Sequence, residues 1–114
     1  MAAGNHTQLD GDWRKTTHLC TVGDKVFAFD NGIFYSVNSD GGYEELSNDW
    51  RPNAVVPANG AIYVFDERGT LYKLNPADGS HESLEGDWRG TQGATFNGTH
   101  IVAVCQGAMY RVEI

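Results

Sequence analysis

The unit Asp-Trp-Arg occurs three times in this 114-residue chain, at residues 12–14, 49–51 and 87–89. The tryptophans are 37 and 38 residues apart. An aromatic ring beside planar hydrogen-bonding groups suits a sugar, because the ring covers a C–H face while the polar groups bind hydroxyls. The candidate ligand-binding residues are therefore Asp12, Trp13, Arg14, Asp49, Trp50, Arg51, Asp87, Trp88 and Arg89.

The same unit has a purely structural interpretation. Tryptophan is a large apolar side chain that can fill the gap between neighbouring sheets. Aspartate can bind nearby backbone in a turn, and arginine can pair with a carboxylate or cover an aromatic ring. Since repetition is expected under both interpretations, the sequence leaves the choice between ligand contact and packing open.

Residue patterns typical of catalysis are missing from the sequence. The four histidines do not form a repeated set, and His6 and His81 alone occupy equivalent positions. There is no H-x-x-x-H or C-x-x-C pair and no P-loop, GxSxG or GxGxxG motif. Cys20 and Cys105 differ in their position within the repeat, which favours two separate buried thiols. We therefore expect a protein that is not an enzyme and holds neither cofactor nor metal.

The whole chain follows the period of the tryptophans. After each triplet come a stretch of small or β-favouring residues, a turn, an alternating strand, a second turn and a third strand. The second strands read KVFAFD, AIYVFD and HIVAVC, and Asn-Gly turns supply the positive φ that tight hairpins require. Antiparallel units of four strands at about 40 residues are typical of β-propeller blades.

The third copy ends after its third strand, and the missing fourth strand stands at the start of the chain. HTQLDGDW (6–13) aligns with YEELSNDW (43–50) and HESLEGDW (81–88). The sequence predicts an all-β fold, a β-propeller with three four-stranded blades per chain. Its single domain, 1–114, has a blade-completing strand at 6–9 and repeats at 13–46, 50–84 and 88–112.

Three blades are too few to close a ring, because propellers typically have about 4–8. The outer faces of the first and last blades would be exposed apolar sheet, and the last blade would have an open edge. We expect two chains to form a six-bladed homodimer with C2 symmetry, in which residues 6–9 of each chain pair with residues 108–112 of the other. A nine-bladed trimer and a fragment of a longer propeller are the alternatives.

The blade pattern, with its DWR triplets, NG turns and LYxLNP strand, resembles bacterial β-propeller repeats of the tachylectin-2 and tectonin kind over residues 6–114. The expected assembly of short chains into one closed ring is similar to that of small fucose-binding propeller lectins, in which chains of two blades trimerise. The resemblance implies multivalent carbohydrate binding at shallow sites between blades, through an arginine, an acidic residue and a tryptophan. The alternative function is a structural or protein-interaction propeller, including an amplified or designed repeat protein without a small ligand.

Charge and hydropathy limit the remaining partners. The formal net charge of −7 and a pI near 4.8 disfavour a nucleic-acid partner, because an acidic surface repels phosphates. No stretch approaches the roughly 18 apolar residues of a membrane span. The first ten residues, MAAGNHTQLD, do not have the basic and apolar regions of a secretory signal. We expect a soluble protein whose compartment the sequence does not indicate.

Overall fold

The computed structural model describes residues 2–114, which contain eleven strands. In chain order they are β1 (Thr16–Val22), β2 (Lys25–Asp30), β3 (Ile33–Val37), β4 (Tyr43–Ser47), β5 (Pro52–Ala58), β6 (Ala61–Asp66), β7 (Leu71–Leu74), β8 (His81–Leu84), β9 (Thr91–Phe96), β10 (Ile101–Cys105) and β11 (Ala108–Val112). Among these residues every regular element is a strand, which confirms the all-β prediction.

The strands form three antiparallel sheets, one for each repeat. Blade one contains β1–β4 in sequential order, blade two contains β5–β8, and blade three contains β9–β11. The first strands are neighbours in space, since β1 packs against β5 and β5 packs against β9. This arrangement is β-propeller-like, with the first strand of each sheet innermost. Residues 6–9 form no strand within the chain, so β11 is an edge strand in this structure.

Tight turns between consecutive strands of a blade set the hairpin registers. Asn31 and Gly32 both have positive φ, at 51° and 80°, and Asn59 and Gly60 repeat this pattern in another hairpin. Positive φ at both positions is the type I′ geometry, which matches the twist of the flanking strands. Gln106 adopts the same conformation before a glycine, with φ of 50°. The twist of the hairpin therefore overrides the usual preference for asparagine at that position.

The hydrophobic core lies between the sheets rather than within one of them. One cluster joins blade one to blade two, and a second cluster joins blade two to blade three. All six positions of β6 are buried, because blade two has a neighbour on both of its faces. Residues in the first cluster are Phe27, Phe29, Phe34, Trp50, Ile62, Val64 and Leu74, and the second includes Tyr63, Phe65, Leu71, Ile101 and Ala103.

Equivalent positions in the three blades differ in exposure according to their neighbours. Ile62 and Ile101 are 0% exposed, whereas Val26, at the same position of blade one, is 39% exposed. On the other side, Met109 is 73% exposed although its equivalents in blades one and two are at most 1% exposed. The outer faces of blades one and three therefore keep the apolar residue types of the inner junctions without a sheet packed on them.

Packing between blades one and two sets the stability of this fold. We expect Ile62→Ala to lower the free energy of unfolding by about 2–5 kcal/mol, since it leaves a cavity where the two sheets meet. Urea unfolding followed by circular dichroism measures this change. Lys25→Ala, at an exposed position of β2, is the control and should stay within about 0.5 kcal/mol of wild type. Equal effects of the two substitutions would contradict the placement of the core between the sheets.

Candidate functional site

Trp50 lies in the junction between blades one and two and is only 4% exposed. Its ring makes edge contacts with Phe29 of blade one and with Tyr72 and His81 of blade two, at centroid distances of 6.0, 5.3 and 5.1 Å. The indole Nε1 donates a hydrogen bond to Ser47 Oγ at 3.0 Å. Trp50 thus packs as a wedge between the sheets, and its ring offers no open face to a ligand.

Trp13 and Trp88 occupy the equivalent positions and are half-buried. Trp88 makes edge contacts with Phe65 of the preceding blade and Tyr110 of its own blade, at 5.3 and 5.5 Å. Trp13 precedes the first blade and contacts two tyrosine rings of that blade. All three tryptophans have a packing role, and burial is greatest where complete blades flank the ring on both sides.

In the two GDWR copies, the aspartate and arginine bind each other. Asp12 accepts hydrogen bonds from Arg14 Nε and Nη2 at 2.9 and 2.7 Å, and Asp87 pairs with Arg89 in the same forked geometry. The hydrogen bond from the Arg89 side chain lowers the pKa of Asp87 to about 2. Because both pairs are exposed, they stabilise the chain little. Their polar groups already have partners before any ligand approaches.

The NDWR copy has a different arrangement. Asp49 binds Arg68 Nη1 at 3.3 Å through its side chain, and its backbone carbonyl accepts from Arg68 Nη2 at 2.6 Å. Arg51 is therefore not paired with the aspartate of its own triplet and lies 3.7 Å from Glu67 Oε1. This is the one copy of the three whose arginine is paired with a carboxylate outside its own triplet, that of the β6–β7 turn of blade two.

The residue before the triplet also differs in the middle copy. Gly11 and Gly86 have φ of 107° and 113°, and a Cβ on either would lie 2.6 Å from the indole Nε1 of its own copy. The middle copy has Asn48 at this position, and there the positive φ, 68°, falls on Asp49. The changed backbone accompanies the turn of the Asp49 side chain toward Arg68.

Asp66 is a fully buried carboxylate that the sequence analysis did not identify. It accepts hydrogen bonds from Arg68 Nε at 2.7 Å and from the backbone N–H groups of Arg51 and Arg68 at 3.1 and 3.0 Å. Burial acts to raise the pKa of Asp66, but these hydrogen bonds outweigh it and hold the pKa below its ordinary value. The available sequence signal was the turn Glu67–Gly69, which is one residue longer than the corresponding NG and QG turns.

A polar groove of about 540 Å³ lies at the junction between blades one and two. Its lining includes the Asn31 turn, Asp49, Arg51 and Glu67, with Lys15 at its side. The turns between the second and third strands of blades one and two meet at this groove, through Asn31 and Glu67. Carboxylate, carboxamide and guanidinium groups can bind a small polar molecule by hydrogen bonds. Ligand contact by the triplet residues remains a prediction.

The described residues show little that could support other chemistry. Within residues 2–114, no cluster of three or more His, Cys, Asp or Glu residues could hold a metal ion. Cys20 and Cys105 are both free, and burial raises the pKa of the Cys20 thiol to about 11, so that thiol stays protonated near neutral pH. None of the described segments forms a helix long and apolar enough to cross a membrane.

Comparison with known proteins supports the fold. No protein-family model matches the chain, and no curated protein matches it in sequence. Among solved structures, the chain is similar to the computationally designed Ika4 protein, with a TM-score of 0.70 and 16% identity over 93% of this chain and 70% of that one. The N-terminal domain of Nup159 has a TM-score of 0.56 and 15% identity over 86% of this chain and 30% of that one.

A third similar structure is virginiamycin B lyase from Staphylococcus aureus. Its TM-score is 0.57 at 11% identity, over 87% of this chain and 41% of that one. The chain therefore spans less than half the length of the lyase and of the Nup159 domain. At these identities the likeness concerns the fold alone, and it supports a β-propeller-like fold.

The buried carboxylate predicts a pH-dependent stability. Because the pKa of Asp66 is lowered in the folded chain, its stabilising effect is complete above about pH 4 and is lost as the pH falls through the folded pKa. We expect Asp66→Asn to cost about 1–3 kcal/mol at neutral pH and much less at about pH 2.5, as measured by urea unfolding. Asp87→Asn, in an exposed pair, is the control with the smaller effect at neutral pH. A cost of Asp66→Asn that is the same at both pH values would contradict this assignment.

Proposed function

We propose that this chain is a non-enzymatic propeller protein that acts as an interaction scaffold, and that two copies complete a six-bladed ring. The observation that carries the proposal is the exposure of both outer faces. Val26 and Met109 are exposed, while the equivalent residues in neighbouring blades are fully buried between sheets. The outer faces thus have the composition of an inner junction, and another blade is the partner that fits them.

The number of blades favours two copies over three. Two chains of three blades make a ring of six, within the range of about 4–8 that propellers typically have, whereas three chains would make nine. A two-fold axis joins the outer face of blade three in one copy to that of blade one in the other, and repeats this contact at the second seam. Both seams would then repeat the packing already present between blades one and two.

Carbohydrate binding at the junction groove is the second candidate function. The observation in its favour is that Arg51 and Glu67 are about half exposed and border the groove together with Asn31 and Asp49. Sugar hydroxyls can bind such planar polar groups directly. Since the Trp50 ring is buried, the contacts would be hydrogen bonds from the rim of the groove rather than stacking on the indole.

The ring predicts the solution mass. Multi-angle light scattering at micromolar concentration should give twice the 12.5 kDa mass of the chain. Leu19→Asp and Met109→Asp place a charge on the two outer faces and should each raise the dimer dissociation constant at least about tenfold. Ala77→Glu, in the exposed β7–β8 turn, is the matched control that adds a charge away from both faces. A monomer mass for the folded wild-type protein would reject the ring.

The second candidate predicts the effect of two substitutions at one junction. On a glycan array, Arg51→Ala should weaken binding at least about tenfold with little change in thermal stability, since its ion pair is exposed. Trp50→Ala should instead lower the free energy of unfolding by about 3–5 kcal/mol, because it removes a buried wedge. Absence of glycan binding by well-folded wild-type protein would eliminate this candidate and leave the interaction scaffold.

A further inference from the structure

We propose that residues 6–9 of one copy bind as the fourth strand of blade three in the second copy, in a groove beside Trp88 and Tyr110. This inference rests on the proposed ring and names the segment that joins its blades. The groove has a volume of about 550 Å³ and is lined on one side by Glu82 and Leu84 of blade two and on the other by residues 110–114.

The acceptor is the open edge of β11. In blades one and two, the third strand has a fourth strand at its outer side, namely β4 or β8. In blade three this side has no strand among the described residues, and Met109 and Tyr110 are exposed there. An exposed apolar edge presents unpaired backbone groups that favour the addition of another strand.

The segment at 6–9 has the sequence of a fourth strand. His6 aligns with His81, and Leu9 aligns with Leu46 and Leu84. In blade two, Lys73 is paired with Glu82. The two equivalent positions of blade one are paired with each other in the same way. Carried over to blade three, the same register pairs Arg111 of one copy with Thr7 of the other.

One end of the donor segment, at Leu9, already contacts its own blade one. A Cβ on Gly79 of blade two would lie 2.9 Å from Leu46 in β4. A Cβ on Gly41, the equivalent glycine of blade one, would lie 3.1 Å from Leu9. Residues near Leu9 are therefore positioned against blade one as the fourth strand of a preceding blade would be. The second copy can provide that preceding blade without displacing Leu9.

An incomplete aromatic cluster marks the other end of the segment. His81 makes edge contacts with Trp50 and Tyr72 at 5.1 and 5.2 Å. Trp88 and Tyr110 of blade three are equivalent to Trp50 and Tyr72, and their rings lie 5.5 Å apart. Within residues 2–114 no histidine or tyrosine ring takes the third position there, while His6 is exposed. His6 of the second copy completes the cluster in the proposed seam.

Cysteine cross-linking tests the register. With Cys20 and Cys105 replaced by alanine, the variant carrying Thr7→Cys and Arg111→Cys should form a disulfide-linked dimer, because directly opposed residues lie within disulfide reach. The control carries Gln8→Cys with Arg111→Cys, and it should cross-link at least about tenfold less, since residue 8 points to the opposite face of the sheet. Circular dichroism checks that both variants fold. Equal cross-linking of both pairs would overturn the proposed register.

A peptide experiment separates this inference from the ring itself. A synthetic peptide of residues 4–13 should bind the Leu19→Asp variant, whose blade-three groove is intact, and the same peptide with Leu9→Asp should bind at least about tenfold more weakly. Titration calorimetry measures both. A dimer by light scattering without Thr7–Arg111 cross-links keeps the ring and rejects the strand assignment. A monomer that binds the wild-type peptide selectively rejects the ring and keeps the groove. Equal or absent peptide binding together with absent cross-links rejects the inference.

Discussion

The structure depends on one constraint, which is that a sheet with two apolar faces must be covered on both. Blade two meets this condition, and its central strand is buried at every position. Blades one and three are each covered on one face only. The same repeat position is therefore buried in blade two, at Ile62, and exposed in blade one, at Val26. Burial of apolar area is the main favourable term in folding, and a three-bladed arc leaves part of that area in water. The proposed pairing of two arcs follows from this physical imbalance.

The tryptophan of each triplet depends on the same constraint. Where sheets fan out from an axis, the gap between neighbours widens outward, and a large flat ring fills it. Trp50 does so between two aromatic neighbours from different blades, and its indole N–H has a partner in Ser47. The polar members of the triplet lie where the chain crosses from one blade to the next. In the middle repeat, Arg68 bridges Asp49 and the buried Asp66 at this crossing.

Local patterns predicted the strands well and the polar contacts poorly. The strands KVFAFD and AIYVFD have the predicted bounds, because alternation and Asn-Gly turns are local signals. The burial of Trp50 required knowledge of which sheets lie beside it, and that is a property of three dimensions. The pairing of Asp49 with Arg68 joins residues 19 positions apart through a turn with one additional residue. Because the three triplets are similar, the sequence did not indicate that the aspartate of one of them pairs with an arginine outside its own triplet.

The exception in the middle repeat has a consequence for valency. The pairs Asp12–Arg14 and Asp87–Arg89 are closed, and the junction after blade one is the place where Arg51 and Glu67 border a groove. A closed ring of two copies would therefore have three kinds of junction, each present twice. Grooves of the Arg51 kind would lie on opposite sides of the two-fold axis. Such an assembly would be bivalent rather than hexavalent, and it could bridge two partners while looking six-fold in outline.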